Sequence, residues 1–439
     1  MPKPWRKTWV FIASCYFYMV FKPVYLLILF AIIGIDFIAG KKIEQSILHK
    51  KKWLIVSISA NLGILFFFKY FNFISENINA LFATFHSSAQ LPLLEIILPI
   101  GLSFHTFQAM SYTFEVYRGK QKAEHHLLDY SIYVLYFPQL VAGPIERPQN
   151  LLPQIKNNIS FNGNFVAQGL LLMSIGLFKK VVIADRLALF VDPVFNDLPH
   201  ANGLSVLIAS VFFAFEIYCD FSGYSAIAIG VSKIMGIDLM QNFNSPYLSS
   251  SFSMFWSRWH ISLSSWFKEY LYKPLGGNRK GELMRYRNIF IVFILSGFWH
   301  GAKWNFMIWG ALHGILLLLE NVFKKHFSLS ISPSFKILFV FCATTFAWIF
   351  FRANTLEDAA LAIKHLGSIS FENSLPKVFN EIEFSFCFLL IALLIRSEKK
   401  EWSKHIVKPI FQMLIATMLF ALAYLFGEFN LKQFIYFQF

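Results

Sequence analysis

Two histidines in apolar surroundings are the residues of this sequence best suited to acid–base chemistry. His300 lies in the apolar stretch SGFWHGAKWNFMIWGALHG (296–314), between Gly297 and Gly301. An ionisable side chain at membrane depth is costly and therefore indicates function, and a neutral imidazole can act as a general base near pH 7. The flanking glycines leave room for a substrate or another backbone to come close. We therefore predict that His300 is catalytic.

His260 lies in the aromatic segment MFWSRWHISLSSWFKEYLYK (254–273). Read as one helix, this segment has an apolar stripe and a polar face. The stripe comprises Trp256, His260, Leu263, Phe267 and Tyr270, and the polar face comprises Arg258, Ser262, Ser265 and Glu269. Periodicity alone allows either a functional site or an interfacial helix whose histidine bonds a backbone carbonyl. His313 is likewise open to a functional or a packing interpretation.

The composition of the chain indicates a membrane protein. Of its 439 residues, 56% are hydrophobic and only 15% are charged, and the mean hydropathy is +0.53. Soluble domains are typically about 45–50% apolar and about 25% charged. A bilayer can cover the excess apolar surface, and each spanning helix takes about 20 residues. We predict an all-α polytopic integral membrane protein, a single domain over 1–439, with about ten to eleven spanning or re-entrant helices.

The charge pattern supports this fold class and predicts an orientation. Lys and Arg number 39 against 25 Asp and Glu, a net charge of +14. In a soluble protein that excess would suggest nucleic acid, but here the basic residues form short runs between apolar stretches, as the positive-inside rule predicts. No nucleic-acid partner is therefore expected. The predicted cytoplasmic loops are 41–52, 113–127 and 396–404, and the predicted external loops are 73–93 and 352–383.

The sequence lacks the markers of several other enzyme classes. No GxxxxGK[ST] loop, GxGxxG turn, HExxH pair or GxSxG elbow occurs, so ATPase, dinucleotide-binding, zinc-protease and serine-hydrolase functions are not predicted. The four cysteines are scattered without a CxxC pair, so neither a disulfide framework nor a metal site is expected. The basic N-terminus followed by an apolar run is interpreted as an uncleaved first membrane segment.

Two segments do not have the pattern of plain spans. YFPQLVAGPIERP (136–148) is interrupted by proline and glycine, and 219–248 combines Asp220 with many small and polar residues. Irregular backbone at membrane depth is tolerated only where it is buried or lines a cavity. We predict broken or re-entrant helices in both segments, packed around a central cavity.

Several ordered stretches of this chain resemble the membrane-bound O-acyltransferase family, and in particular its bacterial branch that includes alginate O-acetyltransferase. The stretches run in order over most of the chain and together are highly specific. They are LPIGLSFHTFQAMSYTFEVYRG (98–119), PQLVAGPIERP (138–148), DFSGYSAIAIG (220–230), NFNSPYLSSSFSMFWSRWHISLSSWFKEYLYKPLGGNR (242–279), SGFWHGAKWNFMIWGALHG (296–314) and FAWIFFRA (346–353).

The resemblance implies a fold and a reaction. It implies a ring of tilted helices around a central tunnel, with His300 as the catalytic histidine and His260 as the second motif histidine. The implied donor is cytosolic acetyl-CoA or another acyl thioester, used as a substrate with no bound cofactor. The implied acceptor is a hydroxyl of an extracytoplasmic polysaccharide or partner protein, as in O-acetylation of alginate or cell-wall glycans. Such proteins are integral to the bacterial inner membrane and commonly work with a separate extracytoplasmic esterase-like acetyltransferase.

If the chain has this acyltransferase function, further residues are predicted to bind the donor or to line the tunnel. A basic group attracts the donor's phosphates and consists of Arg279, Lys280, Arg285 and Arg287. Predicted tunnel-lining residues are Asn242, Asn244, Tyr247, Trp299 and His313, although the first three could instead cap a helix. Relatives usually begin one hydrophobic helix earlier and often carry an acid where Ala226 stands. We expect either that upstream codons encode that helix or that this subfamily lacks it.

Two competing functions predict different features. A transporter or flippase of a lipid-linked saccharide could use the histidines as a proton relay, but it would predict an internal repeat relating two halves, and none is visible. A non-catalytic assembly scaffold would predict that both histidines are replaceable.

Overall fold

The computed structural model describes residues 5–46, 48–141, 143–157, 161–326, 331–368, 379–401, 405–406, 408–429 and 434–435. Within these ranges the regular elements are helices and no strand occurs, which confirms the all-α class. The contacts divide the chain into two compact units. Each unit is described by itself, and the single-domain assignment stays a prediction.

The first unit comprises Met1–Phe161 and Met235–Met240. Its helices are α1 (Arg6–Met19), α2 (Tyr25–Gln45), α3 (Lys50–Leu65), α4 (Phe71–Thr84), α5 (Leu102–Tyr117), α6 (Leu127–Leu135) and α7 (Pro148–Lys156). A π-helical segment, Phe66–Tyr70, joins α3 to α4 without a break. The predicted loop 73–93 is therefore partly wrong, because its first half continues this helix to Thr84.

The second unit comprises Asn162–Ile234 and Gln241–Phe439. Its helices are α8 (Gly163–Leu177), α9 (Asp185–Asn196), α10 (Gly203–Ile234), α11 (Phe252–Arg258), α12 (Ile261–Phe267), α13 (Glu282–His300), α14 (Trp304–His326), α15 (Pro333–Arg352), α16 (Leu356–Leu366), α17 (Glu381–Lys400) and α18 (Pro409–Phe426). A π-helical segment, Phe178–Ala184, joins α8 to α9. All of the predicted catalytic and tunnel residues belong to this unit.

Six helical stretches within the described residues are long and apolar enough to cross a membrane. They are Lys50–Thr84, Gly163–Asn196, Gly203–Ile234, Trp304–His326, Pro333–Arg352 and Pro409–Phe426. The other helices are shorter or carry more charged and polar residues. The chain is an integral membrane protein, while the count of ten to eleven spanning or re-entrant helices stays a prediction.

The two segments predicted to be irregular behave differently. The described residues between α6 and α7 are non-helical and almost all buried, which confirms the break around 136–148. Glu146 holds this break, since its carboxylate accepts from the Met240 backbone N–H and from Asn150 Nδ2. The prediction for 219–248 is wrong in its first part, because 219–234 continues the helix α10 and only the following residues leave it.

Candidate active site

His300 is the last residue of α13 and is enclosed by aromatic rings. Its side chain is only 4% exposed. Its ring centroid lies 5.0 Å from that of Trp299, 5.1 Å from that of Trp309 on α14, and 5.5 Å from that of Phe351 on α15. Three helices therefore build an apolar wall around one imidazole, and burial of this kind is what the sequence predicted.

The glycines beside His300 make room for a neighbouring helix. A Cβ atom at Gly297 would lie 2.1 Å from the Phe306 carbonyl oxygen, and one at Gly301 would lie 2.1 Å from the Phe306 ring. The sequence predicted that these glycines leave room either for a substrate or for another backbone. The structure shows the second, the close approach of the Phe306 backbone. Packing of α14 against the end of α13 therefore sets the position of His300.

His260 lies at a break between two helices, which corrects the prediction of one continuous helix over 254–273. α11 ends at Arg258, α12 begins at Ile261, and His260 itself adopts φ 43° and ψ 55° in the left-handed region. The predicted apolar stripe is nonetheless buried on both sides of the break. Ser262, assigned to the polar face, is also fully buried.

Asn242 determines which nitrogen of His260 carries the proton. Asn242 Oδ1 accepts hydrogen bonds from the Ser262 backbone N–H at 3.2 Å and from Ser262 Oγ at 2.9 Å. His260 Nδ1 lies 3.1 Å from this same oxygen and must therefore donate to it. The proton is on Nδ1, so the lone pair of the neutral ring is on Nε2.

The two predicted catalytic histidines lie close together. Their ring centroids are 6.4 Å apart, and Trp299 lies beside both rings. His260 is 1% exposed and lies outside the six candidate spans, and burial lowers its pKa to about 3. Its imidazole is therefore neutral at physiological pH and can accept a hydrogen bond.

The predicted tunnel-lining residues lie in different surroundings in the structure. Asn242 and Trp299 contact the histidine pair, whereas the side chain of Asn244 is exposed. The Tyr247 hydroxyl donates to the Ala214 carbonyl at 2.6 Å and accepts from Trp348 Nε1 at 3.2 Å, which gives it a structural role. The lining of a tunnel by these residues stays a prediction.

His313 is fully buried among aromatic rings. Its ring centroid lies 4.9 Å from that of Trp256 and 5.0 Å from that of Trp309, and its ring is parallel to that of Phe255. Neither ring nitrogen has a hydrogen-bond partner among the described residues. The contacts of His313 are thus packing contacts, and they favour the packing interpretation.

The basic group lies at the start of the helix that ends with His300. Arg279, Lys280 and Arg287 are exposed and Arg285 is half-buried. Asn288 anchors the preceding glycine-rich loop by donating to the carbonyl of Gly277 at 2.9 Å. Fifteen residues separate Arg285 from His300, roughly 22 Å along a helix. A donor held by its phosphates at this group would therefore need a long arm to reach His300.

Three residues of the site were not singled out from the sequence. Ser262 donates to the oxygen that orients His260, and Trp309 and Phe351 form walls around His300. Ser262 lies two residues after His260 and Trp309 nine residues after His300 in the same motif, so both could have been found from that spacing, whereas Phe351 is distant in sequence. Among the described residues, no three His, Cys, Asp or Glu side chains are grouped so that they could hold a metal ion.

A buried pair of histidines in an all-helical membrane protein defines a candidate acyl-transfer site. The model of the membrane-bound O-acyltransferase family matches residues 58–357. The chain belongs to this family, and it is an O-acyltransferase integral to a membrane. The resemblance found in the sequence motifs is thereby confirmed, and the transporter alternative is not favoured.

The chain is also similar to individual proteins of known name. A peptidoglycan O-acetyltransferase of Helicobacter pylori is 39% identical over 391 residues, which cover 82% of this chain and 73% of the relative. A probable alginate O-acetylase of Pseudomonas aeruginosa is 37% identical over 358 residues, with 81% and 68% covered. A teichoic acid D-alanyltransferase of Bacillus subtilis is 29% identical over 253 residues, with 55% and 63% covered. The chain is thus similar to enzymes named for O-acetylation of polysaccharides and for D-alanylation.

Proposed function

We propose that this protein moves an acetyl or other acyl group from a cytosolic thioester, acetyl-CoA, to a hydroxyl on the far side of the bacterial inner membrane. The proposed acceptor is an extracytoplasmic polysaccharide, or a partner protein such as a separate esterase-like acetyltransferase. Relatives named for acetylating peptidoglycan and alginate support a glycan as the final acceptor. The observation that carries the proposal is the buried His260–His300 pair with ring centroids 6.4 Å apart.

The proposed chemistry divides two tasks between the histidines. His300 removes the proton of the acceptor hydroxyl, whose oxygen attacks the thioester carbonyl carbon. The C–S bond then breaks, and the leaving thiolate takes the proton from His300. His260 orients the acceptor by accepting a hydrogen bond at Nε2, for example from a neighbouring hydroxyl of the same sugar. The aromatic walls of Trp299, Trp309 and Phe351 exclude water, which would otherwise hydrolyse the thioester.

The proposed donor approaches through the basic group at the start of α13. Arg279, Lys280, Arg285 and Arg287 supply cationic charge for the phosphates of coenzyme A. Their separation from His300 along α13 matches a donor that is anchored at one end and reactive at the other.

The test compares histidine variants for O-acetylation of cell-envelope polysaccharide in cells that lack the native gene. His300→Ala should lower acetylation by roughly 10²–10⁴-fold, as is typical when a general base is removed. His260→Ala should lower it less, because this residue orients rather than transfers. The double variant should be far from additive, since the two side chains act on one acceptor.

Yield after membrane extraction and melting temperature separate catalysis from folding in this test. A histidine needed only for structure would strand its buried partner at a cost of about 1–3 kcal/mol and would lower both quantities. The matched control is His200→Ala, because His200 is exposed and its ring bonds the carboxylate of the nearby Asp197. Normal acetylation by His300→Ala would rule out the proposed mechanism.

A further inference from the structure

A groove on the second unit is lined by residues other than those of the histidine pair and its aromatic walls. Its volume is about 380 Å³. Three elements line it: the end of α8 together with the π-helical segment that follows, α17, and α18. The wall is mostly apolar and includes Phe178, Leu390, Leu394 and Leu419. An apolar groove of this kind on a membrane helix bundle can hold a hydrocarbon chain.

One end of the groove is cationic. Arg396 and Lys400 line it, and they lie four residues apart on α17, so their side chains share one face of that helix. Both are exposed, and neither has a carboxylate partner among the described residues. Lys179 also lines the groove, but its Nζ lies 3.2 Å from the Glu398 carboxylate, so those two charges compensate. Two positive charges therefore remain at this end.

The order of polarity along the groove matches a charged amphiphile. Along α17 the lining residues are apolar up to Leu394, and the cations Arg396 and Lys400 follow. Basic residues beside a membrane helix also serve as plain orientation signals. Lys399 fits that description, since it is exposed on the same turn and does not line the groove.

We propose that this groove binds an anionic phospholipid. The acyl chain contacts the leucine-lined wall, and the phosphodiester lies between Arg396 and Lys400. A cationic pocket between membrane helices selects anionic headgroups, whereas a zwitterionic headgroup gains little from two uncompensated cations. The ligand is a lipid of the surrounding bilayer and is distinct from the acyl donor.

Native mass spectrometry of the purified full chain tests the proposal, with phosphatidylglycerol and phosphatidylethanolamine as probes. The wild type should retain phosphatidylglycerol more tightly. Each of Arg396→Gln and Lys400→Gln should weaken this binding about 5-fold, and the double variant about 30-fold. Arg396→Lys keeps the charge and should bind nearly as the wild type does.

Lys399→Gln is the matched control and should change the binding less than 2-fold, because it removes the same charge from the same turn outside the groove. Melting temperatures in lipid-free detergent should be equal for all variants, which excludes misfolding. Equal retention of the two lipids would overturn the proposal. So would a Lys399→Gln effect as large as that of Arg396→Gln, or displacement of the lipid by coenzyme A.

Discussion

At the scale of individual residues, a single side-chain oxygen orients His260. Asn242 Oδ1 accepts hydrogen bonds from His260 Nδ1, from the Ser262 backbone N–H and from Ser262 Oγ, and all three donor atoms are within 3.2 Å of it. Asn242 Nδ2 in turn donates to Ser225 Oγ on α10. The amide is thus held from both ends, so the lone pair of His260 has a defined direction.

Replacing Asn242 should therefore impair activity through His260. Asn242→Ala removes the acceptor, and a misplaced catalytic group can cost up to about 10²-fold in rate. Asn242→Asp keeps an oxygen at the same place and should retain most of the activity. The measurement is O-acetylation per amount of folded protein, with melting temperature recorded for each variant.

The control for this prediction is Asn61→Ala. Asn61 is a fully buried asparagine of the first unit that donates to Asp36, so its loss should lower the melting temperature without changing acetylation per folded molecule. If Asn242→Ala behaved like this control, the orienting role of Asn242 would be disproved.

The sequence was sufficient to predict which residues form this site, but not the left-handed backbone conformation of His260. Burial of His300 followed from its apolar neighbours, which are local. At the break at His260, two backbone hydrogen bonds of 2.9 Å connect the chain to a non-helical stretch earlier in the sequence, from Ile261 N–H to the Asn242 carbonyl and from Asn244 N–H to the Arg258 carbonyl. Local periodicity does not contain such contacts, so it predicted one helix.

At the scale of secondary-structure elements, the small residues of α10 are explained by its close packing against α8. A Cβ atom at Gly176 of α8 would lie 2.5 Å from the Gly223 carbonyl oxygen, and one at Gly230 would lie 2.6 Å from the Gly169 carbonyl oxygen. Small residues let membrane helices approach closely, because dispersion contacts replace a hydrophobic driving force in lipid. The same residues suggested a broken helix from the sequence, since a list of small residues does not distinguish a break from an interface.

Gly176→Ala should destabilise the protein because the added methyl group has no space. We expect a loss of about 1–3 kcal/mol, as for other overpacked sites, measured as a lower melting temperature in detergent. Gly34→Ala on α2 is the matched control, because nothing lies within 4 Å of its Cβ position. There the substitution should stabilise the helix by about 0.5–1 kcal/mol. Equal effects at the two glycines would contradict the packing role of Gly176.

At the scale of the whole molecule, the charges at the two ends of one long helix predict an orientation in the membrane. The continuous helix Lys50–Thr84 has 35 residues and is therefore about 50 Å long, more than the roughly 30 Å of a bilayer's hydrocarbon core. Three lysines at positions 50–52 begin it, whereas the stretch 73–93 carries Glu76 and no basic residue apart from His86. The positive-inside rule therefore predicts that its first turn is cytoplasmic.

This orientation predicts which single cysteines react from outside. In a background without Cys15, Cys219, Cys342 and Cys387, Ser88→Cys should react with a membrane-impermeant maleimide on intact cells, or on spheroplasts where an outer membrane is present. Lys51→Cys should react only after permeabilisation. Ser88 and Lys51 are exposed, so a difference in labelling would report the side of the membrane and not burial. The cysteine-free background must keep its acetylation activity for the comparison to hold. Labelling of Lys51→Cys without permeabilisation, with Ser88→Cys protected, would contradict the predicted orientation.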